Sequence, residues 1–155
     1  MTATNNQERI VNKLNGNVNL GGNNFIKPHK PIKKSIINDF TPTRRDMKTG
    51  YVWLDFKNIH YKKQNIDLSV CCYNDLVMSI QVSPKHKELH TNGTWKNWSE
   101  EREKKILKYY EDWLEAEIGK IKHYSWGRIS SQFDKKSGSS SITINYSEQK
   151  AIKNK

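Results

Sequence analysis

The chain has 155 residues, a formal charge of +11 and a hydrophobic fraction of 34%, which fits one domain of modest core and leaves too little apolar material for every residue to share in it. Five Trp, seven Tyr and four Phe offset part of that shortage, because each buried aromatic removes a large area from water. Residues 1–50 carry +6, residues 51–133 only +2 and residues 134–155 +3, so most of the excess charge sits in the flanks, where lysine runs more often solvate an end than bind an anion.

The start, MTATNNQERIVNKLNG, has neither a basic n-region nor an apolar h-region, and no later window approaches 18 apolar residues. The expectation is a cytoplasmic chain with no signal peptide, no transmembrane helix and no membrane partner. Residues 1–24 are rich in Asn and Gly and read as a mobile N-terminal segment. A single domain is expected over residues 25–146, followed by a basic C-terminal tail over 147–155.

Between Phe25 and Gly50, Ile32, Ile36, Ile37 and Phe40 share one helical face. Pro31 suits the first turn of that short helix, and Thr41-Pro42 ends it. Gly50 opens a strand region. In YVWLDFK, Val52, Leu54 and Phe56 alternate with Tyr51, Trp53 and Asp55. A polar loop is expected from about Asn58 to Asn65. Ile66, Leu68, Val70 and Cys72 then share a face, as do Leu76, Met78, Ile80 and Val82 after an Asn74-Asp75 turn. The result is a three-stranded meander with one apolar side, which needs a cover.

The cover is the next element. Ser99 caps a helix, Glu100 and Glu101 occupy its first turn, and Gly119 stops it. Ile106, Leu107, Tyr110, Trp113, Leu114 and Ile118 make a wide apolar stripe. The opposite face carries Glu101, Lys104, Lys105, Lys108, Glu111, Asp112 and Glu115, and the segment from Glu100 to Glu117 holds seven acids against four bases. A last hairpin, YSWGRISSQF-DKKSG-SSSITINY, turns its Ile142, Ile144 and Tyr146 inward. The fold class expected is α+β: an antiparallel sheet of about five strands, in the order β-β-β-α-β-β, with one long helix packed on a face and a looser N-terminal segment.

Motifs for chemistry are absent. Gly21-Gly22 lacks the further glycines and the Lys-Ser/Thr of a phosphate cradle. The histidines at 29, 60, 86, 90 and 123 are scattered, and only His86 and His90 share helical spacing, in a stretch that reads as loop. Cys71 and Cys72 are adjacent in a strand, so their side chains point to opposite faces and are badly placed to bond each other. Glu111 and Glu115 share a helical face, as on any solvated helix. No cofactor or metal is expected. A basic surface is the stronger signal: Lys33, Lys34, Arg44 and Arg45 are candidate nucleic-acid contacts, although no RNP-like aromatic pair or GxxG loop accompanies them.

The run W-x-x-W, helix, W-L, Gly, Y-x-W-G-x-I, then F-D-x-K-S-G-x-S-S-I-x-I-x-Y resembles small bacterial immunity proteins of polymorphic toxin systems, of the contact-dependent or type VI kind. In this chain it comprises Trp95, Trp98, Trp113, Leu114, Gly119, Tyr124, Trp126, Gly127, Ile129, Phe133, Asp134, Gly138, Ser140, Ser141, Ile142, Ile144 and Tyr146, within residues 50–146. Most of these positions have structural roles: Gly127 and Gly138 bend backbone, and Trp126 is expected under the helix. The resemblance implies a non-catalytic inhibitor that binds one toxin domain and occludes its active or substrate-binding site. Its contacts would come from the helix, through Glu101, Glu111, Asp112 and Glu115, or from the hairpin tip, through Asp134, Lys135 and Lys136. A small basic nucleic-acid-binding protein is the alternative, and an enzyme whose site leaves no motif is a third reading.

Overall fold

A computed structural model describes residues 9–86, 99–134 and 139–147. The chain forms β1 (Val18–Asn19), β2 (Phe25–Ile26), α1 (Lys34–Phe40), β3 (Thr43–Asp46), β4 (Tyr51–Tyr61), β5 (Gln64–Tyr73), β6 (Leu76–Pro84), α2 (Glu100–Ile118), β7 (His123–Tyr124), β8 (Gly127–Asp134) and β9 (Ser139–Tyr146). The α+β class expected from the sequence is present, but the main sheet has seven strands rather than about five, in the order β3-β4-β5-β6-β9-β8-β7, and β1 and β2 form a separate pair. All neighbours are antiparallel. The two extra strands carry no periodic signal. β3 is TRRD, exposed throughout, and β7 is two residues long.

The apolar alternation builds one face of this sheet. Leu54, Val70, Ile80, Ile144 and Ile129 lie opposite one another across five strands, and Phe56, Leu68, Val82 and Ile142 form the next row. Helix α2 adds Ile106, Tyr110, Leu114 and Ile118 to the same core. β4 and β5 run through the expected loop at 58–65 and turn only at Lys62-Lys63, with Lys62 at φ 55°. Asn58, His60 and Asn65 are exposed, Gln64 bonds Trp113 and Tyr109 of α2, and the register shift between Phe56 and Ile59, with Asn58 at φ 55°, keeps Ile59 and Tyr61 buried. The Asn74-Asp75 turn is as expected, both residues having positive φ. The β6 face differs from the sequence pattern. A register shift beside Cys71 and Cys72 turns Val77 inward and leaves Leu76 exposed and Met78 half-buried.

Residues 9–24 pack against the same core as the rest of the chain, so the expected boundary at residue 24 marks no change in packing. Ile10, Val11, Val18 and Leu20 are buried, as are Ile26 and Ile36 beyond them. Trp126 is an anchor for this segment rather than a prop beneath the helix: its ring stacks on Tyr124 at 4.9 Å, its Nε1 donates to the Lys13 carbonyl, and a Cβ on Gly16 would come within 2.6 Å of it. The Tyr146 hydroxyl donates to the Gly16 carbonyl at 2.6 Å. Residues 1–8 and 148–155, parts of the two expected tails, lie outside the described residues.

The ladder between β6 and β9 stops at Val82–Ile142, although β6 continues to Pro84 and β9 begins at Ser139. Helix α2 bridges this fork. The Glu103 carboxylate accepts the Ser140 backbone N–H at 3.1 Å, and Tyr110 hydrogen-bonds Ser83.

Candidate binding surfaces

Helix α2 is held at both ends of its buried face. The Ser99 hydroxyl accepts the Arg102 N–H at 3.0 Å, which is the expected cap. Glu103 holds the β9 end through Ser140. Glu117 accepts the Tyr61 hydroxyl at 2.6 Å and the Lys62 ammonium at 3.2 Å, while its carbonyl accepts Arg9. Burial, and then the Glu117 carboxylate, push the Tyr61 phenol above its ordinary range. Both glutamates are buried on the apolar stripe, a role that sequence reasoning missed. Their spacing carried the signal: Glu103 lies three residues before Ile106 and Glu117 three after Leu114, where a solvated acid does not belong.

Burial of these two acids changes the charge that α2 presents. The remaining side chains are five acids against four bases, rather than seven against four. Lys104 and Lys105 pair with Glu100 and Glu101 one turn earlier, and Lys108 meets Asp112 at 3.0 Å, raising the lysine's pKa. The bases thus lie in the N-terminal half. Glu111, Asp112 and Glu115 are all exposed, and no basic residue occupies the last turn. Acids there oppose the helix dipole, which favours cations at a C-terminus.

The other face of the sheet is polar. Arg45 makes a two-point contact with Asp55 at 2.6 and 2.9 Å and lies over the Trp53 ring. Burial works against the charge of Asp55, but hydrogen bonds from Arg45 and Ser69 outweigh it and lower its pKa. Asp67 is lowered in the same way by the Asn58 N–H and by Lys85, despite burial. Of these residues Arg45, Trp53, Asp67 and Lys85, with Gln81, Ser83, Glu103, Tyr110, Ser139, Ser140 and Ser141, line a shallow groove of about 540 Å³ at the fork.

Of the expected contacts, Glu101, Glu111, Asp112 and Glu115 stand on the exposed side of α2. Asp134 is exposed at the end of β8 and lines the groove. Lys135 and Lys136 lie outside the described residues. The cations of the alternative are not brought onto one surface. Lys33 and Lys34 sit at the start of α1, whereas Arg44 and Arg45 alternate to opposite sides of β3, with Arg45 engaged by Asp55. Cys71 and Cys72 are both buried and form no disulfide, and burial raises both thiols, Cys72 to about 11. Among the described residues no helix is long and apolar enough to cross a membrane, and no three His, Cys, Asp or Glu side chains cluster as metal ligands. No protein family, curated protein or solved structure matches the chain.

Proposed function

We propose that this protein is a non-catalytic, cytoplasmic immunity protein that binds a cognate secreted toxin domain and occludes its active or substrate-binding site. The observation that carries this is the acidic C-terminal half of α2. Glu115 is exposed in the last turn, where the helix dipole disfavours an acid, and Glu111 and Asp112 stand exposed one turn before it, Asp112 paired with Lys108, on an element anchored through Glu103 and Glu117. Exposed acids that take no part in packing are accounted for by a partner. Their charge suits a basic cleft, the surface with which a nuclease-like toxin would hold nucleic acid. A rigid acidic ridge that enters such a cleft needs only a few central contacts for most of its binding energy. The nucleic-acid alternative loses support because Arg44 and Arg45 lie on opposite sides of β3 and Arg45 is already paired.

The test is co-purification of the full chain from its native cell extract at about 0.3 M salt with nuclease treatment, a strength that screens loose electrostatic contacts. The expected result is one stoichiometric protein, the C-terminal domain of a large secreted protein. Its retention should fall when Glu111, Asp112 and Glu115 are all changed to Lys, while the melting temperature does not. Recovery of nucleic acid from an untreated sample, with no protein partner, favours the alternative. A partner retained equally by the charge-reversed variant moves the contact off α2.

A further inference from the structure

The two edges of the seven-stranded sheet are built differently. At one edge, β3 carries Arg44 and Arg45 and follows Pro42, features that discourage another strand from adding. At the other, β7 covers only Gly127 and Arg128 of β8, and the Ile129 N–H donates to the Lys122 carbonyl at 2.9 Å. From Ser130 to Asp134, β8 has no neighbour on that side among the described residues, and this stretch contains no Pro, Lys or Arg.

We propose that the chain forms a two-fold dimer in which this free edge of β8 pairs antiparallel with the same edge of a second copy, centred on Gln132. The backbone direction selects the register. In an antiparallel strand the hydrogen-bonding groups of successive residues alternate sides. Because the Ile129 N–H points towards β7, Ser131 and Phe133 turn their N–H and C=O groups outward, while Ser130, Gln132 and Asp134 turn theirs to β9. Those four outward groups have no partner among the described residues. Centring on Gln132 sets Ser131 opposite Phe133 of the second copy, so all four groups of each chain are satisfied. Centring on Ser131 would instead bring Phe133 to Ile129, whose N–H is already used. Centring on Phe133 would carry Ser131 past the end of β8.

The side chains agree with that register. Asp134 falls opposite Ser130 and diagonal to Arg128 of the second copy, a pairing of opposite charges that symmetry repeats. Phe133, 37% exposed in the single chain, lies diagonal to the second copy's Ile129 on the core side. The interface is small, below about 1,200 Å², and therefore weak. This dimer is independent of the toxin-binding proposal and uses a different surface from Glu111, Asp112 and Glu115.

Sedimentation of the full chain from roughly 5 to 500 µM, a range suited to a weak interface, should show the mass rising from 18.2 kDa towards twice that. Ser131→Pro removes an outward N–H without removing a bond to β9, as edge prolines do. Gln132→Lys sets two ammonium groups across the two-fold axis while altering only an exposed side chain. Each should move the dimer midpoint upward by about tenfold or more, with the melting temperature of the dilute protein retained by Gln132→Lys. A wild-type chain that remains monomeric throughout the range overturns the proposal, as does a dimer that Gln132→Lys leaves unchanged.

Discussion

Residues 9–26 and helix α2 feed the same core by opposite means. In α2, Ile106, Tyr110, Leu114 and Ile118 recur every four residues along a regular helix, so one stripe is buried and the lysines and five of the seven acids are left in water. In the N-terminal segment Ile10, Val11, Val18, Leu20 and Ile26 are buried with no regular element longer than a two-residue strand. Asparagine side chains set its path. Asn12, Asn15 and Asn19 each accept the N–H two residues on, making the local turns that asparagine favours. An Asn-rich stretch can therefore be a chain of defined turns, provided that each turn returns an apolar residue to a surface able to receive it. Here that surface includes Trp126 and Tyr146.

The change expected to do most damage removes the ground on which the two regions meet. Gly127 has φ 153°, and a Cβ there would lie 2.1 Å from the Asn145 carbonyl oxygen and 3.0 Å from the Tyr146 Cα. Neither atom belongs to a flexible side chain. Gly127→Ala should cost more than about 4 kcal/mol and leave little folded protein. Gly119→Ala is the control. Gly119 also has positive φ but has nothing within 4 Å of the added carbon, so it should cost only about 1–3 kcal/mol of backbone strain. Urea unfolding of the two variants separates steric exclusion from strain. Equal effects would mean that β9 moves aside.

A direct comparison of the two regions follows from matched truncations. Ile26 and Leu114 are both almost fully buried, at 1% and 2% exposure. Ile26→Ala and Leu114→Ala should each cost about 2–5 kcal/mol. An Ile26→Ala cost below about 0.5 kcal/mol, a value typical of surface sites, would show that the N-terminal segment rests on the domain without being part of its core.

What was legible in the chain follows the same division. The three strands between Tyr51 and Val82, apart from residues 58–65, the α2 boundaries at Ser99 and Gly119 and the β8–β9 pairing could be read because each buries one side of a periodic element. β3 could not, since an exposed charged edge strand has neither alternation nor β-branched enrichment apart from Thr43. Nor could the inward turn of Val77, because a register shift at Cys71 and Cys72 is a property of pairing rather than of either strand alone. At the candidate surface, Glu111, Asp112 and Glu115 were visible as a polar face. The burial of Glu103 and Glu117 was not, because it depends on Ser140 and Tyr61, 37 and 56 residues away in sequence.

The smallest expected effect tests the link itself. Tyr146→Phe deletes only the hydroxyl that donates to Gly16, leaving a buried carbonyl without that partner, and should cost about 1–2 kcal/mol at neutral pH. The same residue has a signature in alkali. Burial raises the pKa of Tyr146 above its ordinary value, as it does for Tyr110 and Tyr61. Above about pH 10 the unfolded chain releases these protons while the folded chain retains them. The unfolded state then binds fewer protons, so stability is fully present below that pH and falls as pH rises. Tyr146→Phe should make this alkaline decline shallower by about one proton. Its loss at pH 7 should come with weakened anchoring of residues 9–20, read as faster amide exchange there than in α2. If stability, alkaline slope and exchange are all unchanged, Tyr146 does not hold the N-terminal segment, and the turns made by Asn12, Asn15 and Asn19 must hold it unaided.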